Sequence, residues 1–413
     1  MSLKPGILIR VFLPFALGYF LSYLFRSVNA VIAPDLVRDI GVDPASLGLL
    51  TSAYFLTFAA FQLPLGVLLD RYGPRRVEAA LLLVAAGGAY TFAQAETLTG
   101  LMLGRALIGL GVSACLMAAF KAFTLWFPAE KLPLANGVQM ISGGVGALAA
   151  STPVELSLKF TDWRGVFVIL AGLTVTAAIC IFLVVPEKQG SRSNETLREQ
   201  MQGIRLVFTS RTFWSIAPWA VAAQAAYLSI AGLWSGPWLR DVAGYDRMTA
   251  ANTLMGISAA MIIGYFTFGS LAERLARRGI QPMTVAAAGM LCFIVIQGMI
   301  VLQVVSMTLA LWLLFGFFGT ACILPYAALS QNFPRHLSGR VNTGLNLLVF
   351  VAAFAAQWAI GLIIDLWPQT ASGSYSATGY SCSFGLIVIM QLTGAIWYFL
   401  AMNRNRAAGN DKL

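Results

Sequence analysis

One cationic side chain lies inside an apolar stretch near the start of the chain. Arg26 belongs to the segment YFLSYLFRSVNA, and Tyr19 and Tyr23 precede it by seven and three residues. On a helix these three side chains share one face, because residues three, four and seven apart lie above one another. A planar guanidinium binds carboxylate or phosphate through paired hydrogen bonds. The pattern therefore predicts a site for an organic anion. The alternative is an arginine that only bonds backbone carbonyls inside the protein.

Other polar and aromatic residues in the apolar stretches could line the same site. Lys121 is a second cation, although its ammonium could instead extend to the polar end of its own stretch. Gln224, Tyr227 and Trp234 occur in a stretch without charge and offer hydrogen bonds and an aromatic face. Each of these three could equally be a packing residue. The remaining predicted contacts are Gln139 and Asn346, two amides that could equally join helices together.

The acidic residues and the missing motifs narrow the chemistry further. No Asp or Glu falls in the middle of an apolar stretch, and the nearest are Asp35, Glu155 and Asp365, toward the ends. An anionic ligand is expected, since no acid there would neutralise the cations. The sequence has no cluster of histidines and carboxylates, no paired cysteines and no phosphate-binding glycine loop. We therefore expect neither an enzyme nor an ATP-driven pump, with no metal and no cofactor.

The composition places these residues in a membrane. Hydrophobic residues make up 58% of the 413 positions and charged residues only 11%. Apolar stretches of about twenty residues recur, each long enough to cross a hydrocarbon core of about 30 Å. The first exceeds a signal-peptide core, so we keep it as a span with no leader removed. The sequence thus predicts an all-α membrane protein with twelve transmembrane helices. They are 8–33, 46–69, 77–94, 98–125, 134–156, 164–185, 213–238, 250–271, 282–303, 306–329, 340–365 and 381–402.

The basic residues are distributed unevenly between the two sides of these spans. Of the 27 Lys and Arg residues, three lie within spans, 19 lie on the side of the chain termini and five on the other. The positive-inside rule then places both termini in the cytoplasm. The same asymmetry explains the net charge of +10 without a nucleic-acid partner. Without targeting signals, we expect a multi-pass protein of a bacterial inner membrane, in contact with lipid and monomeric.

The chain repeats itself across a polar segment at its middle. The segment GVLLDRYGPRR, from Gly66, recurs as GSLAERLARRG, from Gly269. Between the repeats lies a charged stretch that we interpret as a cytoplasmic linker, residues 187–212. The duplication predicts two pseudo-symmetric six-helix bundles, residues 1–186 and 213–413, with a binding site near the bilayer midplane between them.

The first of these repeated segments carries the most specific motif. Gly66-x-x-x-Asp70-Arg71-x-Gly73-x-Arg75-Arg76 resembles the loop signature of the major facilitator superfamily. In that family the acid is thought to pair with basic groups and helix ends, which holds the outward-facing state. The alternative is a solvated basic turn that only sets topology. The resemblance implies a conformational latch formed by Gly66, Asp70, Arg71, Arg75, Glu273 and Arg274.

Two further patterns resemble the same superfamily. Arg105-Ala-Leu-Ile-Gly109 is similar to its helix 4 motif, which implies structural roles for Arg105 and Gly109. Tyr23 and Arg26, with Asn29 after them, resemble the organophosphate antiporter branch, in which the arginine meets the anionic group of the substrate. That branch has a matching arginine in helix 7, but the repeat aligns Arg26 with a serine here. A monocarboxylate or sugar acid is thus at least as well favoured as a phosphate ester.

Together these features predict a secondary active transporter. It would move a small organic anion, either a carboxylate, a sugar acid or a phosphate ester, across the cytoplasmic membrane by alternating access. The alternative is efflux of drugs or other hydrophobic compounds by proton antiport. Coupling to protons, exchange against a counter-anion and facilitated diffusion all stay open.

Overall fold

The protein consists of helices joined by short turns. The computed structural model describes residues 8–128, 132–187, 197–334, 337–370 and 374–410, and these ranges contain helices and no strand. Within them, eleven helices are long and apolar enough to cross a membrane. The one predicted span that is not among these eleven, 134–156, is formed by two consecutive helices, Leu132–Ala149 and Thr152–Ser157.

The helices are numbered in chain order. They are α1 (Leu13–Ser27), α2 (Asn29–Ile40), α3 (Pro44–Tyr72), α4 (Pro74–Gln94), α5 (Leu98–Val112), α6 (Cys115–Trp126), α7 (Leu132–Ala149), α8 (Thr152–Ser157), α9 (Trp163–Val184), α10 (Leu197–Phe208), α11 (Arg211–Ser229), α12 (Ser235–Asp241), α13 (Arg247–Ala276), α14 (Pro282–Val301), α15 (Thr308–Gly319), α16 (Leu324–Gln331), α17 (Ser338–Ile364) and α18 (Ala377–Asn410). Single turns of π-helix occupy Leu8–Phe12 and Ile230–Trp234, and 3-10 turns occupy Val305–Met307 and Thr320–Ile323.

Capping residues explain where several helices begin. The Asp43 carboxylate accepts a hydrogen bond from the Ser46 N–H at 2.6 Å, and Pro44 follows as the first residue of α3. At the start of α9, Asp162 accepts from the Gly165 N–H at 2.8 Å. Such caps satisfy N–H groups that have no partner inside the helix, and proline loses nothing at the first position. The turns between spans are therefore fixed locally by sequence.

Several long helices are broken, and two pairs of breaks recur under the internal repeat. The helical pattern stops at Val28, between α1 and α2, and a π-helical turn occupies 230–234. A second break at 113–114 separates α5 from α6, and a 3-10 turn follows α15 at 320–323. The 203-residue offset from Gly66 to Gly269 maps Val28 into the turn 230–234. A second repeat, WFPAEKLPLANG from Trp126 and NFPRHLSGRVNTG from Asn332, has an offset of about 206 and maps 113–114 onto the start of the turn 320–323. Interrupted helices are common where transporter repeats form a central site.

The two parts of the chain contact each other most extensively through two pairs of helices. α17 packs along α3, and α13 packs along α7. At the buried contact between α3 and α17, Gln357 donates a hydrogen bond to the Thr51 hydroxyl, and the Trp234 indole donates to the Gln357 carbonyl at 3.0 Å. The exact domain boundaries at 186 and 213 stay a prediction.

Candidate substrate-binding site

A cavity lies at the centre of the molecule, where helices from both parts of the chain meet. Its walls come from α1, α2, α7, α11, α13 and the π-helical turn 230–234, and in this conformation its volume is about 40 Å³. Two of the helix breaks, at Val28 and at 230–234, border it. The side chains that give it polar character are Tyr23, Arg26, Ser27, Ser151, Tyr227 and Ser258.

Arg26 lies in this cavity within a cage of aromatic rings. Its guanidinium carbon is 4.5 Å from the ring centroid of Tyr23, 5.3 Å from Phe350, 5.6 Å from Phe58 and 5.9 Å from Tyr54. Ring faces attract a cation, so the cage stabilises the charge without neutralising it. Among the described side chains no carboxylate pairs with Arg26, and its Nε atom has no hydrogen-bond partner. The charge is therefore available to an anion.

The neighbours predicted on the same helix take different positions. Tyr23 lines the cavity beside Arg26, whereas Tyr19 packs edge-to-face against Tyr23, with ring centroids 5.1 Å apart. The Tyr19 hydroxyl donates to the Met140 sulfur at 3.6 Å, which ties α1 to α7. Asn29, just after the break, is buried, and its Oδ1 atom has no partner among the described residues.

Of the residues predicted for the opposite wall, one lines the cavity and two do not. Tyr227 lines the cavity, with its ring stacked on Phe315 at 5.6 Å between centroids. Gln224, one turn earlier, has an Oε1 atom that is buried and without a partner in the described part of the chain. Trp234 is fully buried where α3 and α17 meet, and its indole N–H is bonded to Gln357. It does not line the cavity.

Three other predicted contacts also lie outside the cavity lining. The Gln139 amide donates to the Phe15 carbonyl at 3.1 Å and so joins α7 to α1. The Asn346 side chain accepts from the Tyr326 hydroxyl at 3.1 Å, which joins α17 to α16. Lys121 is half-buried in α6. Both amides thus form the interhelical bonds that the sequence left open as their alternative role.

Arg105 supports the helix that carries Arg26. Its Nη1 atom donates to the Phe25 carbonyl at 3.0 Å, and its guanidinium carbon lies 5.5 Å from the centroid of the Tyr54 ring. On the same helix, a Cβ atom at Gly109 would overlap the Tyr54 carbonyl oxygen. Both residues therefore hold α5 against α1 and α3, which supports their predicted structural roles.

The predicted latch loop forms contacts within its own part of the chain. Arg75 donates to the Phe182 carbonyl at 2.8 Å and lies 3.9 Å from the Glu187 carboxylate. Arg71 is exposed, with its guanidinium carbon 5.3 Å from the centroid of the Tyr72 ring.

Among the side chains that the structure describes, the remaining latch residues show no link between the two parts of the chain. The Asp70 side chain lies outside the described part of the structure, and a Cβ atom at Gly66 would meet open space. Glu273 pairs with Arg277 at 2.6 Å, one turn further along, and Arg274 is exposed. The latch at this loop stays a prediction.

An ion-pair cluster that sequence reasoning missed lies at the distal end, which we define as the end of the molecule opposite the Gly73 turn. Arg247 donates to both Asp35 oxygens at 2.9 and 2.7 Å, and to both Glu155 oxygens at 2.9 and 3.2 Å. Arg38 also pairs with Asp35, at 3.1 Å. The cluster joins α2 and α8 to the start of α13. The sequence had placed the two acids near span ends and had suggested them for proton coupling, without an ion pair to Arg247.

A buried acid was also missed. Glu78 lies inside the predicted span 77–94 and is fully buried in α4, with no hydrogen-bond partner for either carboxylate oxygen among the described residues. The expectation that the nearest acids to the span interiors are Asp35, Glu155 and Asp365 is therefore wrong. Glu78 lies near the start of its span, shortly after two arginines, and so resembles a residue of the preceding loop.

Comparison with known proteins identifies the class to which this site belongs. Residues 15–357 match the family model of the Major Facilitator Superfamily. The chain therefore belongs to the major facilitator superfamily, a family of membrane transporters, and has the fold of that family. The predicted resemblance, the fold class and the assignment as a multi-pass membrane transporter and not an enzyme are confirmed.

Several curated relatives carry names that refer to acids. A probable sulfoacetate transporter of Cupriavidus necator is 23% identical over 276 residues, which cover 63% of this chain and 64% of the relative. The hexuronate transporter of Escherichia coli strain K12 is 25% identical over 227 residues, 51% of this chain and 52% of the relative. A probable L-galactonate transporter of the same strain is 22% identical over 382 residues, with 84% and 80% covered. The matches to the first two thus span less than two thirds of those relatives.

Solved structures agree on the fold. A bacterial homologue of the human lysosomal transporter Spinster superimposes with a TM-score of 0.76 at 19% identity, covering 97% of this chain and 98% of the other. The nucleoside transporter NupG gives a TM-score of 0.73 at 14% identity, covering 97% and 99%. At these identities the likeness concerns the fold alone.

Proposed function

We propose that this protein is a secondary transporter of small organic anions with one strongly acidic group, such as sugar acids or sulfonates. The observation that carries the proposal is Arg26, a buried guanidinium in the central cavity that pairs with no carboxylate in the described part of the chain. A charge at bilayer depth costs about 2.5 to 3.5 kcal/mol even on the mild insertion scale, so such a residue is normally kept for function. The names of the relatives, which refer to sulfoacetate, hexuronate and galactonate, support the same class.

The cavity favours a ligand with one anionic group and a hydroxylated body. Arg26 supplies one site for a carboxylate or sulfonate, and its fork geometry suits two parallel hydrogen bonds. Ser151, between α7 and α8, faces the same space, as do Ser258 of α13 and Tyr227 of α11. The two serine hydroxyls donate to backbone carbonyls and can accept from a ligand hydroxyl, and the Tyr227 hydroxyl can bond another. A ligand bound there would contact both parts of the chain, which is what coupling to their relative movement requires.

Alternating access would then depend on the distal ion-pair cluster. Asp35 and Glu155 belong to one part of the chain and Arg247 to the other, so the cluster closes the distal end. Their carboxylates are 8% and 10% exposed, and separating them from Arg247 would leave poorly solvated charges. We propose that these bonds break when the cavity opens to the distal side. With both termini in the cytoplasm, that side is the exterior.

The competing function, efflux of cationic or hydrophobic compounds by proton antiport, fits the cavity less well. A cationic drug would enter a space whose one charged lining residue is Arg26. No acid belongs to the described lining of this cavity, so nothing there would offset the repulsion.

Uptake by purified protein in liposomes tests the proposal. We expect the wild type to take up labelled D-galacturonate, L-galactonate or sulfoacetate and to leave the cationic dye ethidium untransported. Arg26→Gln keeps a polar, hydrogen-bonding side chain but removes its charge, and should abolish uptake of the acids. Arg278→Gln, the same change at an exposed position, is the control and should transport normally. Uptake of an acid that is unaffected by Arg26→Gln would contradict the proposal.

A further inference from the structure

Glu78 is a buried acid that the anion site does not use. It lies four residues after Pro74, so its Cα is about 6 Å along α4 from the start of that helix. The side chain is fully buried inside the first half of the protein, away from the central cavity. A carboxyl group in such a place needs a physical explanation, because buried polar groups are normally hydrogen-bonded.

The surroundings of Glu78 are apolar and closely packed. One carboxylate oxygen lies so near α1 that a Cβ atom added at Gly18 would overlap it, and Ile181 of α9 lies close to the same point. Neither oxygen has a hydrogen-bond partner by geometry in the described structure, although the Cys115 thiol of α6 faces the carboxyl. Only glycine at position 18 leaves room for this approach between α4 and α1.

Among the described side chains, no cation is placed to neutralise Glu78 in the ionised form. Arg75, one turn earlier on α4, is bonded to the Phe182 carbonyl and faces Glu187. α1 and α9 contribute Gly18 and Ile181 at this point, and the titratable neighbour from α6 is Cys115. An isolated carboxylate is far more costly to bury than the neutral acid. In this conformation the carboxyl group therefore carries a proton.

We propose that Glu78 is a proton-binding site that couples anion transport to a proton gradient. Its carboxyl holds a proton in the conformation described here and releases it to water when α1 moves against α4 and admits solvent. That release is to the cytoplasm, since Glu78 lies about one turn from the Gly73 end of α4, and in the return step the carboxylate takes a proton from the exterior, so one proton moves inward per cycle. The inference rests on the proposed function, since the coupled solute is the anion bound at Arg26.

The link between the two sites is helix α1. Gly18 contacts the Glu78 carboxyl, and Arg26 lies eight residues further along the same helix, about 12 Å away. A movement of α1 that exposes Glu78 therefore also moves the anion-binding guanidinium. One proton carried with one anion makes the transported pair electrically neutral.

Infrared spectroscopy of the purified protein tests the proton without any substrate. At neutral pH we expect the carbonyl band of a protonated carboxylic acid in the wild type, lost in Glu78→Gln and retained in Glu96→Gln, the same change at an exposed acid. If Glu78→Gln does not fold, Cys115→Ala keeps the carboxyl and should shift the band, because the thiol faces it. Absence of the band from the wild type, or no change in either variant, would overturn the proposal.

Transport in proteoliposomes tests the coupling. With acid outside, the wild type should accumulate labelled D-galacturonate or sulfoacetate above the outside concentration. Glu78→Gln should lose this accumulation but still exchange labelled for unlabelled acid, which requires no net proton movement. If Glu78→Gln accumulated the acid as well as the wild type does, Glu78 would have no role in proton coupling. If the wild type moves neither acid, the proposed function fails, while the infrared band still decides whether Glu78 holds a proton.

Discussion

Two buried arginines in the first half of the protein differ in what their guanidinium groups contact. Arg105 donates to the Phe25 carbonyl and is 1% exposed, so its donors serve the protein itself. Arg26 directly follows Phe25 on α1. Its guanidinium lies on the cavity side, among ring faces that accept no conventional hydrogen bond. Residue type alone does not separate these roles, because both arginines lie in apolar helices.

Replacement by lysine should distinguish the two arginines. Arg26→Lys keeps the charge but loses the paired hydrogen-bond geometry, worth about 1.5 to 3 kcal/mol for a bond to a charged group. We expect the affinity for a transported acid to fall by about 10- to 150-fold with little change in melting temperature. Arg105→Lys should lower the melting temperature and leave the affinity of the folded fraction nearly unchanged. Binding measured by calorimetry, with melting curves, checks both.

Two aromatic residues of the second half provide a matching comparison. Tyr227→Phe removes a hydroxyl from the cavity wall, whereas Trp234→Phe removes an N–H that is bonded to the Gln357 carbonyl. A neutral hydrogen bond contributes about 0.5 to 1.5 kcal/mol, so we expect Tyr227→Phe to weaken sugar-acid binding by about 2- to 12-fold. Trp234→Phe should instead lower stability by a similar free energy. Equal loss of affinity in both variants would place Trp234 in the site after all.

At the scale of the helices, close packing depends on small residues at defined positions. A Cβ atom at Gly88 of α4 would lie 2.7 Å from the Ile108 amide nitrogen of α5, too close for any real contact. The adjacent Gly87 faces outward, with nothing within 4 Å of the same position. Without a hydrophobic driving force between helices in lipid, this backbone contact is what holds α4 to α5.

These neighbouring glycines permit a controlled test. Gly88→Ala should destabilise the protein by about 1 to 3 kcal/mol, since the packed helices must separate to admit the methyl group. Gly87→Ala should be neutral or slightly stabilising, because alanine favours the helix. Thermal melting in detergent compares the two variants. Similar melting temperatures would show that α4 and α5 are not as closely packed as described.

At the scale of the whole molecule, the distal cluster holds the two parts of the chain together. Arg247 binds two carboxylates that belong to the other part, and the nearby Thr152 hydroxyl donates to Asn252 at 2.8 Å. The central cavity lies beneath this contact. Removing the charge of Arg247 should therefore open the cavity more often to the distal side.

Cysteine accessibility measures that opening. In a variant without the five native cysteines, Ser258→Cys places a thiol on the cavity wall. Adding Arg247→Gln should raise its reaction rate, several-fold or more, with a membrane-impermeant thiol reagent applied from the distal side. Arg240→Gln, a nearby change that leaves the cluster intact, is the control and should leave the rate unchanged. An unaltered rate in the Arg247 variant would contradict the role of the cluster in closure.

Local patterns were sufficient to predict the spans and their order. Apolar length set the twelve segments, and most of their ends lie within a few residues of the predicted ones, but α2 continues to Ile40, past the predicted end at 33, and α18 to Asn410, past 402. Arg26 could be selected as well, because a cation inside an apolar helix is costly wherever the helix lies. The breaks at Val28 and 230–234 were not predicted, since the apolar pattern continues through them.

The sequence by itself determined that this chain spans a membrane, that it is duplicated and which family it belongs to, because these depend on hydropathy and spacing along one dimension. The tertiary structure decided which side chains meet. Phe350 closes the cage around Arg26 from a helix more than 300 residues away, and Arg247 reaches Asp35 across 212 positions. Such contacts depend on how helices are placed side by side, and the periodicity within one helix does not indicate which other helix packs against it.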